Sequence, residues 1–209
     1  MMPRLLIVRH GETALNAARV LQPEDTPLSA RGYRQAEATA RRAAALAPAA
    51  LVTSDLPRAA QTAAAIAAAT GLAAQPCALL RERNLGVLRG RPYDTLGFDP
   101  LALDAAPAGG ESLAGFLARV AQAFALLVAL QARCGGTVAV VTHGLVVQAL
   151  LVRHARSPAG AAPMPHPPQL PNASLSIVGA LPPHAVELLG CTAHLQAVDA
   201  GALEILQGG

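Results

Sequence analysis

Aromatic side chains make up only 2% of the 209 residues, and tryptophan is absent. A nucleic-acid binder normally shows a basic stripe, often with aromatics on which bases stack. Here the arginines are scattered rather than gathered in blocks and the formal net charge is a mild +3, so no nucleic-acid partner is expected. Cysteine is scarce as well: Cys77, Cys134 and Cys191 are an odd number, widely spaced, with no CxxC pair. Neither a disulfide framework nor a zinc site is indicated, and reduced, buried thiols are expected. No uninterrupted apolar run approaches the ~18 residues of a membrane span. Leu5–Val8 is too short for a signal-peptide core. No membrane partner is expected, and the cytoplasm is the expected compartment.

What the chain has in quantity is Ala, Leu and Val, within a hydrophobic share of 53%. Alanine favours helices that pack closely on small side chains. The length suits one domain, 1–209, with a substantial core. Residues 4–8 (RLLIV) read as a buried first strand, 50–53 (ALVT) as a second and 137–142 (TVAVVT) as the clearest of all. Helices are expected from Ser29, as N-cap, to about Leu46, over SDLPRAAQTAAAIAAATG with a cap, an early Pro and a C-terminal Gly71, and from Glu111-Ser112 to about Arg133. Another follows over GLVVQALLVRHA. Residues 84–110 read as loop with one short helix, and the Pro-rich stretch between Ser157 and Pro171 as a long surface loop. ASLSIVGA and AVELLGC look like a strand pair joined at Pro182-Pro183. The sum is an α/β three-layer sandwich, with a mainly parallel central sheet and helices on both faces.

Two Arg-His pairs stand behind apolar runs, Arg9-His10 and Arg153-His154. The second falls near a helix end, where its charge suits the negative end of the dipole and no Gly follows to open a turn. The first meets Gly11. The strand at 50–53 delivers Ser54-Asp55 and, one turn into the next helix, Arg58; the strand at 137–142 delivers Thr142-His143-Gly144. Ligands of parallel sheets bind at the carboxyl ends of the strands, so the three clusters should meet at one edge. Two Arg, two His and helix N-terminal amides make an anion site, with phosphate as the natural occupant.

Arg58 alone would read as a solvated surface residue. Yet a cation in a first helical turn opposes the macrodipole at a cost of ~0.3–1 kcal/mol, which makes it a functional candidate beside the other clusters. Two His and two Arg permit a covalent route in which a neutral imidazole attacks phosphorus. Nearby Arg charges keep a His deprotonated. Glu82, in LLRERNLG after an edge strand, is a candidate general acid, and a surface salt bridge with Arg81 or Arg83 explains it equally well. His10-Gly11-Glu12 is not HExxH, so neither a metal nor another cofactor is expected. His154, His166, His184 and His194 read as helix end, loop, turn and C-terminal packing.

LLIVRHGETALN resembles the signature of the histidine phosphatase superfamily, the phosphoglycerate mutase-like proteins. TPLSARGYRQA, SDLPRAAQTA, LRERNLG, GGESL, VVTHG, PNASLSI and TAHL follow in the family's order, over nearly the whole chain. The resemblance implies His10 as the phosphorylated nucleophile, Arg9, Arg58 and His143 as the phosphate pocket, and Glu82 as acid/base. It also implies Asn16 at the phosphate or substrate, Gln22 at the pocket mouth, a backbone amide from Gly144, and Thr13 holding the loop. Leu15 stands where many members have Trp, Pro23 where Gly is usual, and Leu88-Arg89 replace Trp-Glu. Tyr93 and Phe98 are the aromatics near these loops, and core or lid packing is their expected role.

Mutases that resemble the chain carry a long insertion after the Glu motif. Here Glu82 is followed by Glu111 after a short loop, so hydrolysis of a small phosphorylated metabolite is expected. A phosphoglycerate mutase and a non-catalytic phosphate-binding module are the alternatives. A homodimer is one candidate assembly, on which the sequence is silent.

Overall fold

A computed structural model describes residues 3–157 and 170–198, so the Pro-rich loop expected between Ser157 and Pro171, with His166, lies almost wholly outside the described residues. Strands β1 (Arg4–Arg9), β2 (Ala50–Thr53), β3 (Ala74–Pro76), β4 (Val138–Thr142), β5 (Leu175–Gly179) and β6 (Val186–Cys191) form one six-stranded sheet. Its order is β3-β2-β4-β1-β5-β6. The first four are mutually parallel, while β5 pairs antiparallel with both β1 and β6. The mainly parallel sheet is therefore present, with the expected strand pair as its antiparallel edge.

Period-two alternation assigns the sheet's faces. Leu5 and Ile7 of β1 join Val138 and Val140 of β4 in one apolar cluster; Leu6 and Val8 join Ala139 and Val141 in the other. Each fully buried aliphatic side chain contributes about 1.5–3 kcal/mol over exposure. Helices α4 (Leu113–Cys134) and α5 (Gly144–His154) cover the first face through Phe116, Val120, Ala123, Leu127, Val147 and Leu151. Helices α2 (Ala30–Ala44) and α3 (Pro57–Thr70) cover the second through Ala40, Ala43, Ala59, Ala63 and Ile66. With so much alanine, α2 and α3 lie close together on the sheet. Helix α4 is long and apolar enough to cross a bilayer by length and composition alone. Its buried residues recur at helical spacing and pack on the sheet.

Helix boundaries follow local chemistry. Ser29 and Ser112 accept hydrogen bonds from Gly32 N and Gly115 N as N-caps, and Gly71 and Gly135 close α3 and α4 in left-handed conformation. Three expectations need correction. The SDLP segment offers α3 no side-chain cap: Leu56 stands at the N-cap, while Ser54 and Asp55 bond elsewhere. Residues 84–110 contain two short 3-10 turns, Gly86–Leu88 and Tyr93–Thr95, rather than one helix. The cysteines are free but only half-buried, because each sits at or just beyond an element's end where packing thins.

Candidate active site

In the sheet, β4 lies between β1 and β2, so the carboxyl ends that carry the three polar clusters are neighbours. Arg9 is in register with Thr142, and Ser54 N donates to the Val141 carbonyl at 2.9 Å. The loop after β1 is held from every side. His10 N donates to the Thr142 carbonyl (2.9 Å), and Gly11 N to Thr62 Oγ1 of α3 (3.1 Å). Asn172 Nδ2 lies within 3.2 Å of the His10 carbonyl and 3.0 Å of Asn16 Oδ1. A methyl group on Gly11 would lie 2.6 Å from the Gly32 carbonyl oxygen, so this glycine is required by the close approach of α2. Glu12 faces away from the cluster, bonding Arg31 and Ser29.

His10 is 2% exposed, and its Nδ1 lies 2.7 Å from the Gly11 carbonyl. A carbonyl only accepts, so Nδ1 carries the proton and Nε2 keeps its lone pair. Burial, then the charges of Arg58 and Arg9, hold this imidazole well below its ordinary pKa and therefore neutral. The His143 ring lies beside it, 5.1 Å between centroids and tilted by 60°, and is likewise driven neutral by burial, then Arg58. His143 Nε2 is 2.8 Å from Ser54 Oγ.

Arg9 reaches the Leu170 carbonyl through Nη1, and Arg58 reaches the carbonyls of Pro23 and Glu24 at 3.3 and 3.4 Å. Burial lowers the pKa of Arg58 to about 10, a value that leaves it charged. Among the described residues, Arg9 Nε, Arg58 Nε and His143 Nδ1 are buried without hydrogen-bond partners. Buried guanidinium donors are costly unless an acceptor meets them, and an anion in the cavity that Arg9 and Arg58 line would supply one.

Glu82 is not in a surface salt bridge. Arg81 turns to Asp55, and Arg83 to backbone carbonyls of Glu111, Leu101 and Leu103. Its carboxylate instead accepts from Leu145 N and Arg83 N, both at 3.1 Å, and burial raises its pKa above the usual range. Such a carboxyl can hold a proton and give it up.

These groups surround a cavity of about 590 Å³, lined among others by Arg9, His10, Asn16, Gln22, Arg58, Glu82 and Gly144. His143 lies beneath it, fully buried. Thr13 caps the short helix α1 (Ala14–Ala17) and donates to Gln22 Oε1 at 2.9 Å, linking two lining residues. Tyr93 lines the cavity rather than the core, whereas Phe98 is 48% exposed and does not line it. Arg153-His154 ends α5, with His154 stacked on Phe124, and His194 bonds the Ala173 carbonyl and Thr39. Among the described residues no three His, Cys, Asp or Glu side chains are grouped to hold a metal ion.

Thr62, Asn172 and the hydrogen-bonding role of Ser54 are what sequence reading missed. Each has an ordinary local explanation, and only the PNASLSI segment hinted at Asn172.

The sequence model of the histidine phosphatase superfamily (branch 1) matches residues 5–185. The probable phosphoglycerate mutase GpmB of Klebsiella pneumoniae is 37% identical over 160 residues, 72% of this chain and 74% of that protein. Its counterpart from Yersinia enterocolitica is 46% identical over 96 residues, 46% of this chain and 45% of that protein; the match spans about half that relative's length. Among solved structures, a mycobacterial glucosyl-3-phosphoglycerate phosphatase complexed with VO3 superposes with a TM-score of 0.71 at 32% identity, over 84% of this chain and 90% of that one. Bacillus stearothermophilus YhfR gives 0.76 at 28% identity, over 92% and 99%.

Proposed function

The chain belongs to the histidine phosphatase superfamily, branch 1, and from that premise we propose that it is a phosphomonoesterase working through a phosphohistidine on His10. The observation that carries this reading is the paired polarity of His10: Nδ1 is committed to Gly11, and Nε2 stays a neutral nucleophile between two arginines. In the first step Nε2 attacks phosphorus and the bond to the ester oxygen breaks. Glu82, whose pKa burial raises, gives its proton to the leaving alcohol. Arg9, Arg58 and His143 donate to the phosphoryl oxygens, where charge is borne as the group moves. In the second step water attacks the phosphohistidine, its proton goes to the Glu82 carboxylate, and the P–N bond breaks to release phosphate.

His10 is pulled below its usual pKa and Glu82 above its own, and both shifts widen the pH range in which a neutral base can meet a protonated acid. Activity should accordingly be highest on the acidic to neutral side and fall as Glu82 ionises. The decisive assay is p-nitrophenyl phosphate hydrolysis by wild type and His10→Ala across that range. At least a thousandfold loss in the variant is expected, about 4 kcal/mol of transition-state stabilisation. Equal activity would overturn the nucleophile, and no activity in either would favour a binding module.

Similarity to probable phosphoglycerate mutases favours a second reading, an isomerase. Against it, only two 3-10 turns and connecting loop lie between Glu82 and α4, a short cover for a reorienting intermediate. With 3-phosphoglycerate and a trace of the 2,3-bisphosphate, phosphate release should outpace formation of 2-phosphoglycerate; the reverse would establish the mutase.

A further inference from the structure

The cavity is far larger than a phosphoryl group, and part of its wall is charged without serving the chemistry. Of its five lining arginines, Arg9 and Arg58 flank His10, and Arg83 is buried against three backbone carbonyls. Arg19 and Arg89 remain. The Arg19 side chain is 71% exposed and 3.5 Å from Asp94, which is 79% exposed, a weak rim contact. Arg89 is different. Its side chain is 21% exposed, and Nη1 lies 2.9 Å from Glu24 Oε1, itself 46% exposed.

The surrounding backbone holds this pair beside the phosphate end. Gly90 N donates to the Leu21 carbonyl and Leu21 N to the Arg91 carbonyl, clipping Arg89's loop to the segment leading into Gln22. Arg58 grips the carbonyls of Pro23 and Glu24. Glu24 therefore touches Arg58 through its backbone and Arg89 through its carboxylate, with both guanidiniums facing one cavity. The charge of Arg89 is among those that lower the pKa of Arg58, after burial. Two like charges on one cavity wall favour an anion between them, and the half-exposed Glu24 carboxylate can turn to water at little cost.

We propose that Arg89 determines specificity by exchanging Glu24 for an anionic group on the leaving alcohol, so that preferred substrates are phosphate monoesters whose alcohol carries a second negative charge. Arginine suits the task, because its fork takes a carboxylate or phosphate through two parallel hydrogen bonds. Inside the cavity that contact is better shielded from water than the rim pair it replaces. Glu24 acts as a stand-in for the substrate's anion and keeps Arg89 extended until it arrives.

The inference rests on the phosphomonoesterase reading, and matched esters test it. 3-Phosphoglycerate and glycerol 3-phosphate share a three-carbon skeleton and differ by carboxylate against hydroxymethyl; fructose 1,6-bisphosphate and fructose 6-phosphate differ by a second phosphate. Wild type should prefer the doubly anionic member of at least one pair about tenfold in kcat/KM, and which pair does so tells carboxylate from phosphate. Arg89→Gln should lower that ratio about tenfold. Glu24→Gln, which removes the internal competitor, should raise it about threefold. Calorimetric binding of the same esters to His10→Ala protein reads the preference without turnover, so it stands or falls apart from the catalytic assignment. Equal affinity for both members of both pairs, or a preference that survives Arg89→Gln, would overturn the proposal.

Discussion

Ser54 is fully buried at the end of β2, and its hydroxyl is where the proton inventory of the site closes. Its Oγ accepts from Leu56 N at 3.3 Å and meets His143 Nε2 at 2.8 Å. Where the hydroxyl donates to Nε2, the imidazole proton sits on Nδ1, the atom left without a partner. In that arrangement Ser54 would act through His143, setting which nitrogen can donate to an anion. Ser54→Ala should cut kcat about tenfold, about 1.4 kcal/mol, with a smaller change in KM. Nitrogen-15 NMR of His143 should show its single tautomer become a mixture; an unchanged spectrum with unchanged kcat would leave Ser54 a packing residue. Its proximity to a Pro-started helix made Ser54 look like a cap, whereas the Arg9-His10-Gly11 and Thr142-His143-Gly144 clusters had no such local explanation and were legible at once.

Elements were legible where a period or a terminator marked them. The apolar run of β1, the Ser29 cap of α2 and the Gly71 end of α3 all follow from nearest neighbours in the chain. The four-residue α1, with no buried residue to give a period, was not. Two glycines show how local and tertiary demands differ. At Gly71, φ is +73° and nothing lies within 4 Å of an added Cβ. Gly71→Ala should therefore cost only the left-handed strain of about 1 kcal/mol in urea denaturation and spare p-nitrophenyl phosphate turnover. At Gly11 an added Cβ would meet the Gly32 carbonyl, so Gly11→Ala must part the His10 loop from α2. Activity should be lost out of proportion to stability, and equal effects in the two variants would refute this account of the loop.

The molecule as a whole accommodates two neutral histidines in its cationic interior, and this links its stability to pH. Both have folded pKa values well below the unfolded value of ~6.5, so below that pH the unfolded chain takes up protons the fold refuses. Stability is complete above about pH 6.5 and declines as pH falls, by up to about 1.4 kcal/mol per pH unit for each histidine. Glu82 has the opposite sign: its raised pKa favours the fold at low pH, a contribution lost as pH rises through the folded value. Thermal melts from pH 7.5 to 5 should show a falling Tm with a shallower slope in His143→Gln; parallel slopes would mean that His143 is not refused its proton. The sequence by itself determined most of the strands, the long helices and the candidacy of His10, Arg9, Arg58 and His143, because strand period, capping and abrupt apolar-to-polar junctions are properties of neighbouring residues. Only the tertiary structure decided that Glu82 faces the cavity rather than Arg81 or Arg83, that Ser54 meets His143, and that Arg89 lines the same cavity as Arg58. Those pairings join residues far apart in the chain, and the sheet order that places β4 between β1 and β2 is what brings them within reach.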